Sequence, residues 1–502
     1  MKYLYILLAV LLFSSCEKEL EIEAPSELTF NGFWNSETGA LAAHSGLYGS
    51  FRGSAQTFWS LGSLRSDVWG GPTFESPFSI DFIESNFTVS TAPYGGWAGF
   101  YGRIHQVNDF IQNVPNIEFQ NPEDKAHIMG QAYGLRAYYY YTLLKTWGGV
   151  PLTTEILQTT SPEGLSKPRA PKEEVMALIK EDIARSLESF GDDNSFWSGN
   201  RNYWSKAATL TLKGDAYIWS GTLLNGGDAD YREAKEALQQ VVEMGTINLV
   251  PDYADLWGTE NENNNEFIFA IQYAENEASN FYNLFTGRAT EIWPQYNEEG
   301  QSMEGFTIDG SNRYGPSIET LLLSDDNLDT RKDATFIRLY SDSNDGDGYD
   351  DTFNEDKYFG AILNKFLGRE DGSVRIFDND IPVYRYADVL LMLAEAKNHL
   401  GEDPSVEINL IRERAYGNNY DPLVHAYTNG TQEENTEAIL AERYIEFIGE
   451  GKRWWDLRRA GDSYVIENVP FLEPGEEYML ELPITLDMIG RNPALEQTPG
   501  YN

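Results

Sequence analysis

The sequence is poor in basic residues. It carries 37 lysines and arginines against 79 aspartates and glutamates in 502 residues, which gives a formal net charge of -42 at pH 7. A protein that binds DNA or RNA needs a basic surface to neutralise phosphates, and a surface this acidic also repels anionic lipid. Nucleic acid is therefore excluded as a partner.

Cysteine and histidine are also scarce. Cys16 is the only cysteine, so the chain has neither a disulfide framework nor a cysteine metal site. The five histidines include no i, i+4 pair of the kind that holds zinc on a helix. The sequence contains no Walker phosphate loop and no G-x-S-x-G nucleophile motif. These absences argue against metal-assisted and nucleophilic catalysis.

No apolar run is long enough to span a bilayer. The run at residues 3–13 has eleven residues, follows Lys2 and leads into Ser14 and Ser15, whereas a spanning helix needs about 20. A positive start, a short apolar run and small residues before a cleavage point are typical of an export signal. We therefore expect residues 1–15 to be a signal peptide that is removed.

The position of Cys16 directly after this run resembles a lipobox, in which the cysteine is acylated and becomes the first mature residue. Multiple acyl chains would anchor the protein stably to a membrane. The acidic stretch at residues 17–23 resembles the signal that sends lipoproteins of certain Gram-negative bacteria to the outer face of the outer membrane. A flexible, solvated stem is the alternative interpretation of that stretch.

The rest of the chain has the composition of a folded, mainly helical protein. Apolar residues make up 41% and aromatic residues 14%, which excludes a disordered acidic protein. Helical periodicity predicts hairpins over about 36–245 and 384–460, and their spacing resembles tetratricopeptide-type repeats. Loops and short extended runs fill about 246–380. Since no linker divides the sequence, we expect a single domain over 16–502.

Four ordered motifs identify a family. The sequence is similar to the SusD-like (RagB/SusD) family of outer-membrane nutrient-binding lipoproteins in residues 135–152 (LRAYY with GGVPL), 385–396 (RYADVLL with AEA), 442–459 (ER, GE, GKRWWDLRR) and 497–501 (QTPGY). Asp388 and Thr498 depart from the usual Glu and Asn, which leaves the fold prediction unchanged.

The resemblance implies a mostly α fold, with a tetratricopeptide-like body and a loop-rich ligand-binding portion. It also implies a lipid-anchored protein that captures oligosaccharides outside the cell. Such a protein delivers them to a SusC-like TonB-dependent transporter without catalysing a reaction. Three alternatives stay open at this point. The protein could capture peptides within the same family, act as a glycoside hydrolase, or serve as an interaction scaffold.

Sugar binding needs exposed aromatic rings together with polar side chains, and two segments offer both. Asp67 and Trp69 lie in a turn-rich segment, RSDVWGGP at residues 65–72, where we expect the ring to face solvent. A second group lies in the irregular region and comprises Tyr282, Arg288, Trp293 and Tyr296. The helical spacing around Trp97, Trp204 and Trp219 predicts core positions instead. The predicted ligand-binding residues are thus the six of the two loop segments.

The carboxylates between residues 442 and 459 invite a hydrolase interpretation. The i, i+4, i+8 spacing of Glu442, Glu446 and Glu450 predicts that they share one helical face. Glycoside hydrolases use paired carboxylates as acid and base. Arginines nearly match the acids in this stretch, and an arginine partner keeps a carboxylate ionised. We therefore expect a buried ion-pair network rather than a catalytic pair.

Residues 343–351 alternate oxygen-bearing side chains with glycine and offer a weak calcium candidate, with Asp345 and Asp347 as the ligands. An EF-hand loop needs Asp first and Glu twelfth, but these positions hold Ser343 and Asn354. A polar surface loop is the preferred interpretation, and no cofactor is expected.

Overall fold

The structure is a computed structural model. It describes residues 33–70, 77–156, 161, 165–308, 310, 314–341 and 357–501. The predicted signal peptide at 1–15, the lipidation site Cys16, the acidic stem and the calcium candidates Asp345 and Asp347 lie outside these ranges. Within them, no helix has the length and apolar character needed to cross a membrane.

The first half of the chain is helical, as predicted. Its helices are α1 (Glu37–Arg52), α2 (Ala55–Ser63), α3 (Pro77–Ile83), α4 (Ala98–Asn113), α5 (Pro122–Trp147), α6 (Lys172–Phe190), α7 (Lys206–Leu223) and α8 (Gly227–Glu243). The central helix α5 is capped by the Asn121 side chain, which accepts a hydrogen bond from the Glu123 amide. It ends at Gly148, whose φ of 71° suits glycine.

Consecutive helices pack in pairs. The largest contacts join α5 to α6 and α7 to α8, and smaller ones link α4 to α5 and α6 to α7. Gly134 of α5 lies against the indole of Trp204, where any side chain would overlap the ring. Small residues at such contact points let the helices approach closely, which is the packing expected of tetratricopeptide-like repeats.

The middle of the chain forms only short elements. They are β1 (Phe267–Ile271), α9 (Ala289–Ile292), α10 (Ile318–Leu323), α11 (Arg331–Thr335), β2 (Phe336–Tyr340), β3 (Tyr358–Leu363), β4 (Arg369–Asp371), β5 (Val374–Ile376) and β6 (Ile381–Arg385). Strands β1 and β6 pair antiparallel, with Phe267 opposite Arg385. The other two pairs, β2 with β3 and β4 with β5, are also antiparallel.

The last part of the chain returns to helices. They are α12 (Tyr386–His399), α13 (Ser405–Tyr416), α14 (Gln432–Glu446), α15 (Arg453–Ala460), α16 (Asp462–Asn468) and α17 (Leu486–Arg491). Helix α12 packs on α8 and is in turn covered by α13 and α14, so the helical body continues across the loop-rich portion. The mostly α, tetratricopeptide-like fold is therefore confirmed.

Two helix boundaries differ from the sequence prediction. Apolar periodicity predicts that α14 begins at about Thr436, but it begins at Gln432, because Thr431 and Glu434 form a capping box one turn earlier. The same periodicity predicts that α8 begins at Tyr231, but it begins at Gly227. In both cases the first turn carries polar residues that the apolar periodicity does not register.

Candidate functional site

The segment that contains Trp69 contacts residues 315–317 of the irregular region. The amide of Gly70 donates to the carbonyl of Gly315 over 3.2 Å, and the amide of Ser317 donates to the carbonyl of Val68 over 2.8 Å. Trp69 and Pro316 form an isolated β-bridge between them. The segment around Trp69 is therefore fixed against the irregular region.

Trp69 itself is buried, and the expectation that its ring faces solvent is wrong. Only 2% of the residue is exposed. Its indole Nε1 donates to the Ser63 hydroxyl over 2.7 Å, and its ring packs edge-on against Trp59 and Phe285. The turn folds inward because the ring completes an aromatic cluster contributed by distant parts of the chain.

Asp67 is occupied by an ion pair. Its carboxylate accepts from Arg453 through Nε at 2.9 Å and Nη2 at 2.8 Å, a two-pronged geometry that fixes both groups. Its backbone carbonyl accepts from the Ser317 hydroxyl over 3.0 Å. Asp67 therefore ties α15 to the loops, and its oxygens are committed to that contact rather than open to sugar hydroxyls.

Tyr282 is also internal. It is 1% exposed, its hydroxyl donates to the carbonyl of Gly449 over 2.7 Å, and its ring stacks on Phe366 with centroids 4.1 Å apart. Burial and the nearby charge of Glu450 raise the pKa of the hydroxyl well above its ordinary value. The expectation of a ligand contact fails here because both the ring and the hydroxyl are used inside the protein.

The remaining three predicted residues lie at the surface, and we call them the Trp293 surface: Arg288, Trp293 and Tyr296. Arg288 and Trp293 flank the single turn of α9 and are both exposed, Trp293 by 45%. The indole Nε1 of Trp293 donates to the carbonyl of Phe306 over 3.0 Å. This bond fixes the orientation of the ring while much of its surface stays accessible.

Tyr296 attaches this surface to the small β2–β3 sheet. Its amide donates to the Tyr340 carbonyl over 2.9 Å, and the Tyr340 amide donates back over 2.8 Å. The side chain of Tyr296 is half-buried. A fixed, exposed indole suits a ligand that presents C–H faces, and an exposed guanidinium suits one that presents hydroxyl groups. A role in ligand binding remains a prediction for these three residues.

The carboxylates of the third motif form the expected buried ion-pair network. Arg385, which is completely buried, donates to Glu266 over 2.7 Å, to Glu446 over 2.6 Å and to Glu450 over 2.9 Å. Arg331 extends the network to Glu442 at 2.8 Å. The network joins the segment before β1 to β6, α11 and α14.

The electrostatics of this network oppose acid catalysis. Burial alone would raise the pKa of Glu450, but the charges of Arg385 and Lys365 outweigh it and hold that pKa below its ordinary value. The three arginines 414, 385 and 331 likewise hold the pKa of Glu446 well below its usual range, against the effect of burial. A general acid needs a raised pKa, so these carboxylates are structural.

Metal ligation finds no support in the described part of the chain. There, no group of three or more histidine, cysteine, aspartate or glutamate side chains is arranged to hold a metal ion. The calcium candidates Asp345 and Asp347 lie outside those residues and stay a prediction.

The structure also contains a pocket that the sequence analysis did not predict. A pocket of about 180 Å³ lies between α1 and β1, lined by Tyr48, Arg52, Asn202, Tyr203 and Glu277 among others. Its residues come from three separate stretches of the sequence, and each stretch alone has the pattern of an ordinary helix, loop or strand. No local signal in the sequence marks the pocket.

Comparison with known proteins gives two family matches. Residues 256–501 match the model of the SusD family, and residues 57–211 match a family described as starch-binding and associating with the outer membrane. The two matches together span most of the chain that the structure describes.

Similar proteins cover nearly the whole length. Bacteroides fragilis NanU is 35% identical, with 96% of this chain and 100% of that chain covered and a TM-score of 0.86. A SusD superfamily protein from Bacteroides fragilis is 32% identical, with 93% and 100% covered and a TM-score of 0.84. SusD-like protein P38 of Formosa agariphila is 26% identical, with 99% and 98% covered.

Proposed function

The chain belongs to the SusD family, and on that premise we propose that it binds glycans at the outer face of the outer membrane. It delivers them to a SusC-like TonB-dependent transporter. The match to a family described as starch-binding and associating with the outer membrane supports both the ligand class and the location. Anchoring is through lipid on Cys16, and capture proceeds without cleavage of the glycan.

The observation that carries this proposal is the Trp293 ring. It is 45% exposed, and its hydrogen bond to the Phe306 carbonyl holds it in one orientation. A flat ring that is already fixed loses little conformational entropy when a sugar stacks on it. Arg288, at the other end of α9, supplies charged N–H donors for hydroxyl oxygens.

In the proposed capture step, the glycan contacts all three residues of the Trp293 surface. An oligosaccharide stacks the C–H face of one residue on Trp293 and directs hydroxyl groups to Arg288 and Tyr296. Such contacts give modest affinity, which permits release to the transporter. Hand-off occurs when the protein closes as a lid on the barrel.

A glycan array tests the ligand class. A soluble form without residues 1–23 should bind a subset of neutral oligosaccharides, and Trp293→Ala should weaken that binding by about tenfold or more. This size follows because shielding about 60–100 Å² of ring at roughly 25 cal/mol per Å² contributes about 2 kcal/mol. Titration calorimetry on the strongest array ligand measures the change.

Phe471→Ala is the matched control, because Phe471 is an apolar ring of similar exposure at 39%. It should leave affinity unchanged. Equal affinity of Trp293→Ala and wild type would contradict the role of the Trp293 surface. A second arm with a chelator tests the calcium candidate, and binding that does not change would remove calcium from the proposal.

The transporter partnership needs a separate measurement. The acylated full-length protein, isolated from its own outer membranes in mild detergent, should co-purify with a TonB-dependent β-barrel. Recovery of the protein without any such barrel would contradict delivery, while leaving glycan binding intact.

A further inference from the structure

The pocket between α1 and β1, which we call the α1–β1 pocket, has the size of a site for one ring-shaped group. Its volume of about 180 Å³ is below the range of about 300–1,000 Å³ found for drug-sized ligands. Its walls come from α1, from the segment around Tyr203, and from β1 with the residues that follow it. None of its residues belongs to the Trp293 surface.

Tyr203 forms an aromatic wall of this pocket. Its ring stacks on His44 with planes 13° apart, and Tyr48 meets it edge-on with centroids 4.8 Å apart. His44 and Tyr48 are one turn apart on α1, so they support the ring from the helix side. The half-buried ring of Tyr203 also lines the pocket, and its hydroxyl has no hydrogen-bond partner among the described residues.

Asn202 contributes an oriented acceptor. The residue is only 7% exposed, and its Nδ2 donates to the carboxylate of Asp380 over 2.6 Å. Asp380 also accepts from the Tyr273 amide over 2.9 Å, so the carboxylate is held in place and determines which way the amide points. The Oδ1 of Asn202 is left without a hydrogen-bond donor in the part of the chain that the structure describes.

An ion pair lies at the edge of the pocket. Arg52 Nη1 donates to Glu277 over 2.6 Å and to the carbonyl of Gln272 over 3.2 Å. The remaining nitrogens of Arg52 have no acceptor in the described ranges, and Glu277 is 52% exposed. The pair brings charged donors and acceptors to the pocket while adding no net charge.

We infer that the α1–β1 pocket binds one residue of a neutral glycan, as a subsite separate from the Trp293 surface. This inference rests on the proposed glycan-binding function. A pyranose ring has C–H faces for Tyr203, and adjacent hydroxyls that each donate and accept. Arg52 donates, Asn202 and Glu277 accept, and the Tyr203 hydroxyl does either. The balanced charge favours an uncharged sugar.

Single sugars test the subsite directly. D-glucose, D-galactose, D-mannose and N-acetyl-D-glucosamine are each titrated alone against the soluble chain without residues 1–23, with saturation-transfer NMR as the readout. At least one should bind wild type. Glu277→Ala and Tyr203→Phe should each weaken it, Glu277→Ala by about tenfold because it removes a hydrogen bond to a charged group.

Glu233→Ala is the matched control. Glu233 pairs with Lys213 at 2.6 Å and is 51% exposed, values that nearly equal those of Glu277 in its pair with Arg52. It lies on α8, away from the pocket lining, and should leave sugar binding unchanged. Both pocket variants change side chains with solvent access, so their folding is checked simply by their thermal transitions.

The results of these experiments distinguish failure of the subsite from failure of the proposed function. Failure of all four sugars to bind wild type, or binding that is equal in wild type, Glu277→Ala and Tyr203→Phe, would overturn the subsite. The array experiment with Trp293→Ala would still decide whether the protein binds oligosaccharides. If no array glycan binds wild type, the proposed function fails first and the subsite with it.

Discussion

Trp69 and Trp293 have similar sequence surroundings, rich in turn-forming and polar residues, yet they are exposed by 2% and 45%. The difference comes from partners far away in sequence. Trp69 packs against Trp59 and Phe285, whereas Trp293 makes one hydrogen bond through its indole and stays partly exposed to solvent. Exposure, and with it availability to a ligand, is thus a property of tertiary packing at these two residues.

This contrast predicts opposite effects on stability. Trp69→Ala should lower the free energy of unfolding by about 3–5 kcal/mol, because it leaves a cavity in an aromatic cluster. Trp293→Ala should change it by no more than about 0.5 kcal/mol, as for other surface positions. Urea unfolding followed by far-UV circular dichroism measures both. A stable Trp69→Ala variant with reduced glycan affinity would contradict the buried position.

The titration of Glu262 makes the stability of the folded protein depend on pH. Burial, followed by the charge of Asp380, raises the pKa of Glu262 from 4.5 to about 8, and its carboxyl accepts from the Asp380 amide over 3.1 Å. The folded state therefore binds more protons than the unfolded state between these pH values. By linkage, stability falls as the pH rises through this window.

Glu262→Gln removes that titration while keeping a hydrogen-bond acceptor. Its stability relative to wild type should therefore improve steadily as the pH rises from about 4.5 to about 8. Unfolding by urea at several pH values in this range measures the difference. A constant difference across the range would show that Glu262 titrates normally.

At the scale of elements, close packing of α5 against Trp204 sets a strict size limit at Gly134. Gly134→Ala should destabilise the protein by about 1–3 kcal/mol, since the new methyl group overlaps the indole. Gly46 in the exposed part of α1 is the control, because nothing lies within 4 Å of its side-chain position. Gly46→Ala should stabilise by about 0.5–1 kcal/mol. Thermal unfolding of both variants distinguishes a packing effect from helix propensity, and equal shifts would contradict the close approach.

The helices were predictable because each signal is local. The apolar stripe of α5 and its stop at Gly148 are contained in one stretch of sequence. Only one strand of the β1–β6 pair could be predicted from the sequence. Phe267–Ile271 has the pattern of an extended run, but its partner strand follows more than a hundred residues later, so no local signal indicates the pairing. The short helices α9 to α11 carry too few residues for periodicity to register.

At the scale of the molecule, residues of the family motifs have a structural role. Arg385, Glu446 and Glu450 form the centre of the buried network, and Arg453 holds Asp67. The same residues that identify the family therefore form buried ion pairs that hold separate elements together. This explains why the sequence allowed the fold to be predicted, while two of the six predicted ligand residues, Trp69 and Tyr282, are buried.

Arg385 has a consequence for how the molecule opens. It ends β6, precedes α12 and contacts the residue before β1 as well as α14, and the Tyr386 amide donates to the Glu266 carbonyl over 2.8 Å. Breaking any one of these elements away leaves buried charges without partners, which is costly. In hydrogen exchange, the amides of β1 and α12 should therefore share one opening free energy and exchange as a single cooperative unit. Faster exchange of β1 alone would show that the sheet opens independently of the helical body.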